Sequence, residues 1–192
     1  MTALRDLVAL TKPGVTRMCL VTTAGGLLLP SSGGHVPPGL EGTSWITIAS
    51  ALVGTAFAVG GANAFNMWWE RGTDRLMART RTRPLPAGRM TPTTALRFAW
   101  ALSIASVAVL LVGTNLLTAV LAAFAIAGYV LVYTPLKYRT PAALVIGAVP
   151  GAMPPLLGWT AATNSIDAPG LVLFAILLVW QIPHFLAIAL YR

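Results

Sequence analysis

Of the 192 residues in this chain, 56% are hydrophobic and only 9% are charged, and the charged ones leave a net charge of +8. That balance excludes a water-soluble enzyme with an ordinary charged surface and points to an all-α, polytopic transmembrane helix bundle forming a single domain over residues 1–192. The lone cysteine, Cys19, excludes an internal disulfide and a thiolate zinc site; inside an apolar segment it reads as a packing residue.

In chain order, six apolar windows are long enough to be spanning helices: Val15 to Leu29, Trp45 to Phe65, Ala95 to Gly113, Leu116 to Tyr133, Ala142 to Thr160 and Gly170 to Leu190. The first is short and holds Arg17. Lys12 and Arg17 interrupt the amino-terminal region and no A-x-A site follows, which argues against a cleaved signal peptide. Gly147 and Gly151 carry the GxxxG spacing that lets neighbouring helices approach closely. All thirteen Lys and Arg residues fall on one side of these spans, at the amino terminus, between Arg71 and Arg97, at Lys137 and Arg139, and at Arg192. The opposite loops, Ser31 to Ser44, Thr114 to Asn115 and Ala161 to Pro169, carry none. By the positive-inside rule the basic side is cytoplasmic, with both termini there. The positive charge is then explained by topology and anionic lipid, with no nucleic-acid partner. His35, in the glycine- and proline-rich outer loop, has nothing near it to suggest ligation.

Chemistry collects where the second window ends, in the run NMWWERGTDRLMARTRTRPLPAGR from Asn66 to Arg89. On a continuing helix Asn66, Glu70 and Asp74 fall at i, i+4 and i+8 and share a face. Two carboxylates four residues apart repel, and a divalent cation would reverse that cost. An oxygen-only set suits Mg²⁺, which takes one or two carboxylates and completes its shell with water and phosphate. Six arginines follow, a ready phosphate environment. The bland alternative is a surface ion pair between Arg71 and Asp74 beside a lipid-facing basic loop, in which Arg81, Arg83 and Arg89 serve topology. On the same side, Tyr133, Lys137 and Arg139 bring a phenol, an ammonium and a guanidinium together, and Gln181 and His184 put polar groups into the last apolar window. Such groups at membrane depth face a cavity or another protein group by default. Trp68, Trp69 and Trp159 read as aromatic-belt residues.

At these residues the chain resembles the UbiA superfamily of intramembrane prenyltransferases, and within it the protoheme IX farnesyltransferases. Asn66, Glu70 and Asp74 are similar to the first acidic motif, N-D-x-x-D-x-x-x-D. The run D-R-x-x-D-x-x-M-x-R-T-x-x-R-P resembles Glu70-Arg71, Asp74, Met77, Arg79-Thr80 and Arg83-Pro84. Y-x-x-x-K matches Tyr133 and Lys137, G-A-x-P-P-L-x-G-W matches Gly151 to Trp159, and W-Q-x-P-H-F matches Trp180 to Phe185. Met67, Glu70 and Gly72 stand where the family often has Asp. The resemblance implies a fold of roughly nine spanning helices with a second acidic motif past the sixth, so that this chain, stopping at Arg192, is the amino-terminal two thirds.

It further implies transfer of a farnesyl group from farnesyl diphosphate to the 2-vinyl group of heme b, giving heme O, in the bacterial inner membrane. Mg²⁺ on Asn66, Glu70 and Asp74 would bridge the diphosphate. Lys137 and Tyr133, with Arg75, Arg79 or Arg139, would neutralise the leaving group, and His184, Gln181 and Arg83 would contact substrate. Loss of diphosphate would leave an allylic cation, shielded until the vinyl group attacks and water completes the hydroxyethylfarnesyl group. Two alternatives stand beside this: another aromatic or chlorin acceptor, and a membrane transporter. A transporter should carry charge at its helix centres, whereas here charge gathers at one mouth. Oligomeric state is left open by the sequence.

Overall fold

The computed structural model describes residues 2–32 and 44–190, and every regular element among them is helical. His35 and Arg192 lie outside the described residues. A short helix, α1 (Thr2–Leu10), precedes the first apolar window and was not expected from it. It ends where Pro13 bars the preceding residue from continuing the helix; Lys12 instead takes a left-handed φ of 48°. α2 (Pro13–Ser32) then starts with proline at its first position, where a missing N–H costs nothing.

α3 (Trp45–Asp74) runs for 30 residues from its Ser44 cap, roughly 45 Å, against a hydrocarbon core of about 30 Å. Its length thus exceeds what a crossing needs, and Asn66, Glu70 and Asp74 lie in its last turns on an unbroken helix. α4 (Pro92–Gly113) is capped by Thr91, and α5 (Leu116–Ala127) by Asn115, whose amide also donates to the Thr160 carbonyl at 2.7 Å and ties α5 to the end of α7 (Ala143–Thr163). Between α5 and the three-residue α6 (Thr134–Leu136) lies a π-helical turn, Gly128–Tyr133. Pro135 offers no N–H to the ladder, and the Thr134 backbone N–H and hydroxyl both reach back to the Tyr129 carbonyl. α8 (Ala168–Leu190) closes the described chain.

Five of these helices are long and apolar enough to cross a membrane: α3, α4, α5 continued through α6, α7 and α8. The sixth expected span lies inside α2, which is long enough but, with Thr16, Arg17, Thr22 and Thr23, more polar.

Buried apolar clusters sit between α3 and α4 beside α1, among α4, α5 and α7, and among α2, α3 and α7, where α2 crosses α7. Gly26 meets the Pro155 carbonyl and Gly158 meets the Thr23 carbonyl, so these two glycines allow backbone-to-backbone approach. The expected pair behaves differently: Gly147 receives the Tyr133 ring and Gly151 the Gln181 carboxamide, so they accommodate side chains from α6's approach and from α8. Trp159 also departs from expectation. It is 2% exposed and packs at Gly170 in the core, not in an interfacial belt. α1 docks through Leu10, buried with Phe65, Met67 and Leu85, and through Asp6, which accepts from Arg89.

Candidate functional site

Asn66, Glu70 and Asp74 are 3%, 8% and 4% exposed, on the inward face of α3's last turns. Other segments bring cations to all three. The Lys12 ammonium donates to Asn66 Oδ1 at 3.2 Å, Lys137 pairs with Glu70 Oε1, and Arg83 Nη1 donates to Asp74 Oδ2 at 2.8 Å. Asn66 Nδ2 donates to Glu70 Oε1 at 2.7 Å, which links the row. The repulsion expected between the two carboxylates is thus relieved by lysine and arginine. The Arg71–Asp74 ion pair considered above does not form; Arg71 donates to the Trp68 carbonyl at 2.7 Å and lies over that indole.

Local structure explains each delivery. The segment between α3 and α4 winds back in tight turns: the buried Thr80 hydroxyl donates to the Asp74 carbonyl at 2.8 Å, and the Arg83 N–H to Thr80. Buried Leu85 anchors the return. Tyr129, Tyr133 and Lys137 succeed one another across the π turn, a device common at functional sites. The Lys137 ammonium lies 5.8 Å from the Tyr133 ring and 5.3 Å from that of Tyr138, whose hydroxyl shares a hydrogen bond with Thr73.

Three cations surround two carboxylates here, in a largely desolvated place. Burial, then the charge of Lys12, pulls Lys137 down to about 8. Burial also lowers Lys12 to about 8, with Arg83 and Arg79 adding to the effect and Asp74 opposing it. An anion entering this cluster would relieve the positive excess. The three oxygen-bearing side chains also fit a hard cation that keeps water and phosphate in its shell. Among the described residues no group of three or more His, Cys, Asp or Glu converges, so any such ion would rest on two carboxylates and an amide.

One turn down α3, Asn63 donates to the Thr11 carbonyl at 3.4 Å and borders an apolar cavity of about 110 Å³. α2, α3, α5 and α7 wall it, with Cys19, Ala58, Tyr129, Met153 and Leu157 among the lining. Asn63 thus sets the apolar cavity about one helical turn from the polar row.

Not every expected residue joins the row. Arg79 is exposed, close enough for its charge to act on Lys12. Arg75 lines a separate pocket behind α3, with Arg71 and Trp69. Arg139 is exposed. Gln181 is buried against Gly151 at the cavity wall, whereas His184 is exposed and stacks on Trp180 at 4.7 Å. α8 turns these two to different sides. Lys12 is the residue that sequence reasoning missed: its partner is 54 positions away. The available signal was a cation beside a helix-breaking proline at the basic end.

The UbiA prenyltransferase family model matches residues 19–192. The protoheme IX farnesyltransferase of Sorangium cellulosum is 56% identical over 183 residues, covering 91% of this chain and 65% of that protein. That of Myxococcus xanthus is 51% identical over 191 residues, covering 100% and 62%. The chain thus spans somewhat under two thirds of these relatives' length. Among solved structures, a digeranylgeranylglyceryl phosphate synthase superimposes with a TM-score of 0.79 at 19% identity, over 94% of this chain and 60% of that one. A UbiA homolog from Archaeoglobus fulgidus, bound to DMAPP and Mg²⁺, gives 0.68 at 18% identity, over 93% and 62%.

Proposed function

The chain belongs to the UbiA prenyltransferase family, and from that premise we propose that it carries the prenyl-diphosphate site of a protoheme IX farnesyltransferase. The observation that carries the reading is the buried row Asn66–Glu70–Asp74, met by Lys12, Lys137 and Arg83 and lying about one helical turn from an apolar cavity. On this reading α2 is a sixth span, residues 1–192 are the amino-terminal part of one nine-helix domain in the bacterial inner membrane, and the basic end faces the cytoplasm. The relatives' greater length and the one-sided distribution of Lys and Arg support it.

Asn66, Glu70 and Asp74 would hold Mg²⁺, which when bound would neutralise charge on the diphosphate and ease departure of that group. Lys12, Lys137 and Arg83 exchange their present amide and carboxylate partners for diphosphate oxygens, also charge-assisted contacts. Arg79, exposed beside them, adds charge at the mouth. Tyr133 and Tyr138 hold the Lys137 ammonium where negative charge grows as the C1–O bond breaks. Only the first part of the farnesyl tail fits the cavity of about 110 Å³, whose apolar walls keep water from the allylic cation. The terminal carbon of the heme b 2-vinyl group attacks that cation, and water adds to the carbocation left next to the ring and releases a proton to solvent, giving the hydroxyethylfarnesyl group of heme O.

The test is mass spectrometry of the hemes after the membrane-reconstituted chain is incubated with heme b, farnesyl diphosphate and Mg²⁺. A hydroxyethylfarnesyl adduct that disappears with chelator is the expected result. Unmodified heme b with no bound farnesyl diphosphate would overturn the reading.

A further inference from the structure

Arg71 and Arg75 lie on the flank of α3, each turned about 100° from the carboxylate that precedes it, since one residue advances a helix by that angle. They open onto a pocket of about 520 Å³ behind that helix, lined also by Trp69, Leu85, Met90 and Thr91 and by no carboxylate. Arg71 is held in place by the Trp68 carbonyl, at 2.7 Å, and by the indole face, with 4.9 Å from guanidinium carbon to ring centroid. Arg75 is exposed and enters no ion pair among the described residues. The indole of Trp69 also borders a second space, an apolar groove of about 810 Å³ between α3, α4 and α5, walled by Phe65, Trp68, Trp100, Val107 and Leu131. Two unneutralised guanidiniums thus stand close to an apolar groove, with Trp69 bordering both spaces.

We propose that this face is a binding site for one anionic glycerophospholipid, its phosphate between Arg71 and Arg75 and an acyl chain in the groove. Charge complementarity selects the occupant: a zwitterionic lipid would bring a cation towards two arginines, and a soluble phosphate would leave the groove unfilled. None of Asn66, Glu70, Asp74, Lys12, Lys137 or Arg83 lines this pocket, and the proposal does not rest on that row's function.

The test uses the full chain in neutral detergent, with native mass spectrometry and titration of phosphatidylglycerol, phosphatidylcholine and glycerol phosphate. One phosphatidylglycerol should be retained in preference to phosphatidylcholine. In the double variant Arg71→Gln, Arg75→Gln its binding should weaken roughly thirtyfold, the effect of two charges at a membrane surface, while Arg81→Gln, an exposed arginine outside the pocket, should leave it unchanged. Equal losses in the two variants would reduce the effect to general surface charge and overturn the site. Glycerol phosphate binding as tightly as the lipid would remove the groove's part and overturn the lipid assignment.

Discussion

Removing the Lys137 ammonium while keeping its bulk, as Lys137→Met, isolates the electrostatic work at the candidate site. Glu70 would keep only its hydrogen bond from Asn66, at 2.7 Å, with its side chain 9% exposed. Breaking a buried pair from one side costs about 3–5 kcal/mol. The Lys137 side chain is 25% exposed, so the pair is partly screened, and Glu70 can take up a proton, which together bring the expected loss to about 2–3 kcal/mol. Neutralising the partner as well, in Lys137→Met with Glu70→Gln, should return most of that loss and leave the fold within about 1 kcal/mol of the parent, because no uncompensated charge remains. Equilibrium unfolding in mixed micelles, followed by tryptophan fluorescence, measures the full cycle. A double variant at least as unstable as the single one would refute the claim that Lys137 neutralises Glu70.

The remaining expectations concern titration, packing and the α1 tether. Lys12 and Lys137 titrate near 8 where an ordinary lysine titrates near 10.5, so the site loses charge as pH rises past about 8. Calorimetric titration of farnesyl diphosphate from pH 7 to 9 should show weakening affinity with proton uptake on binding, and a constant affinity would contradict the assignment. The ligand-free fold follows the opposite sign: with folded values below unfolded ones, stability should rise between about pH 8 and 10.4. Gly26→Ala drives a methyl group into the Pro155 carbonyl and should cost about 1–3 kcal/mol, whereas Gly25→Ala, with open space around it, should gain about 0.5–1 kcal/mol; similar unfolding midpoints for the two would refute the α2–α7 crossing. Arg89→Ala releases Asp6, and with that arginine 46% exposed the loss should be about 1 kcal/mol. Hydrogen exchange should then quicken in α1, and unchanged protection there would contradict the tether.

What could be read in the sequence was periodic or local. Asn66, Glu70 and Asp74 share a face by helical spacing alone, and the run of α3 past its apolar window follows from their position. Lys12 was hidden because a contact across 54 residues leaves no periodic trace. The Gly26–Gly158 crossing was overlooked for the same reason, since only the fold shows which glycine meets a backbone and which, like Gly147, meets a ring. Trp159 was placed by residue type in an interfacial belt, yet packing decided its burial. His184 and Gln181, three positions apart, were read as a pair; α8 turns one to the cavity wall and the other outward.

The most direct test of the central claim is binding of farnesyl diphosphate to the reconstituted chain with and without Mg²⁺, in the parent and in Asp74→Asn. Asp74 is 4% exposed and held by Arg83 at 2.8 Å, and the amide keeps its shape while removing the charge. Binding that requires Mg²⁺ in the parent and is lost in the variant, with helicity unchanged, is the predicted result. Equal binding by parent and variant, insensitive to chelation, would contradict a metal and diphosphate site on this face of α3.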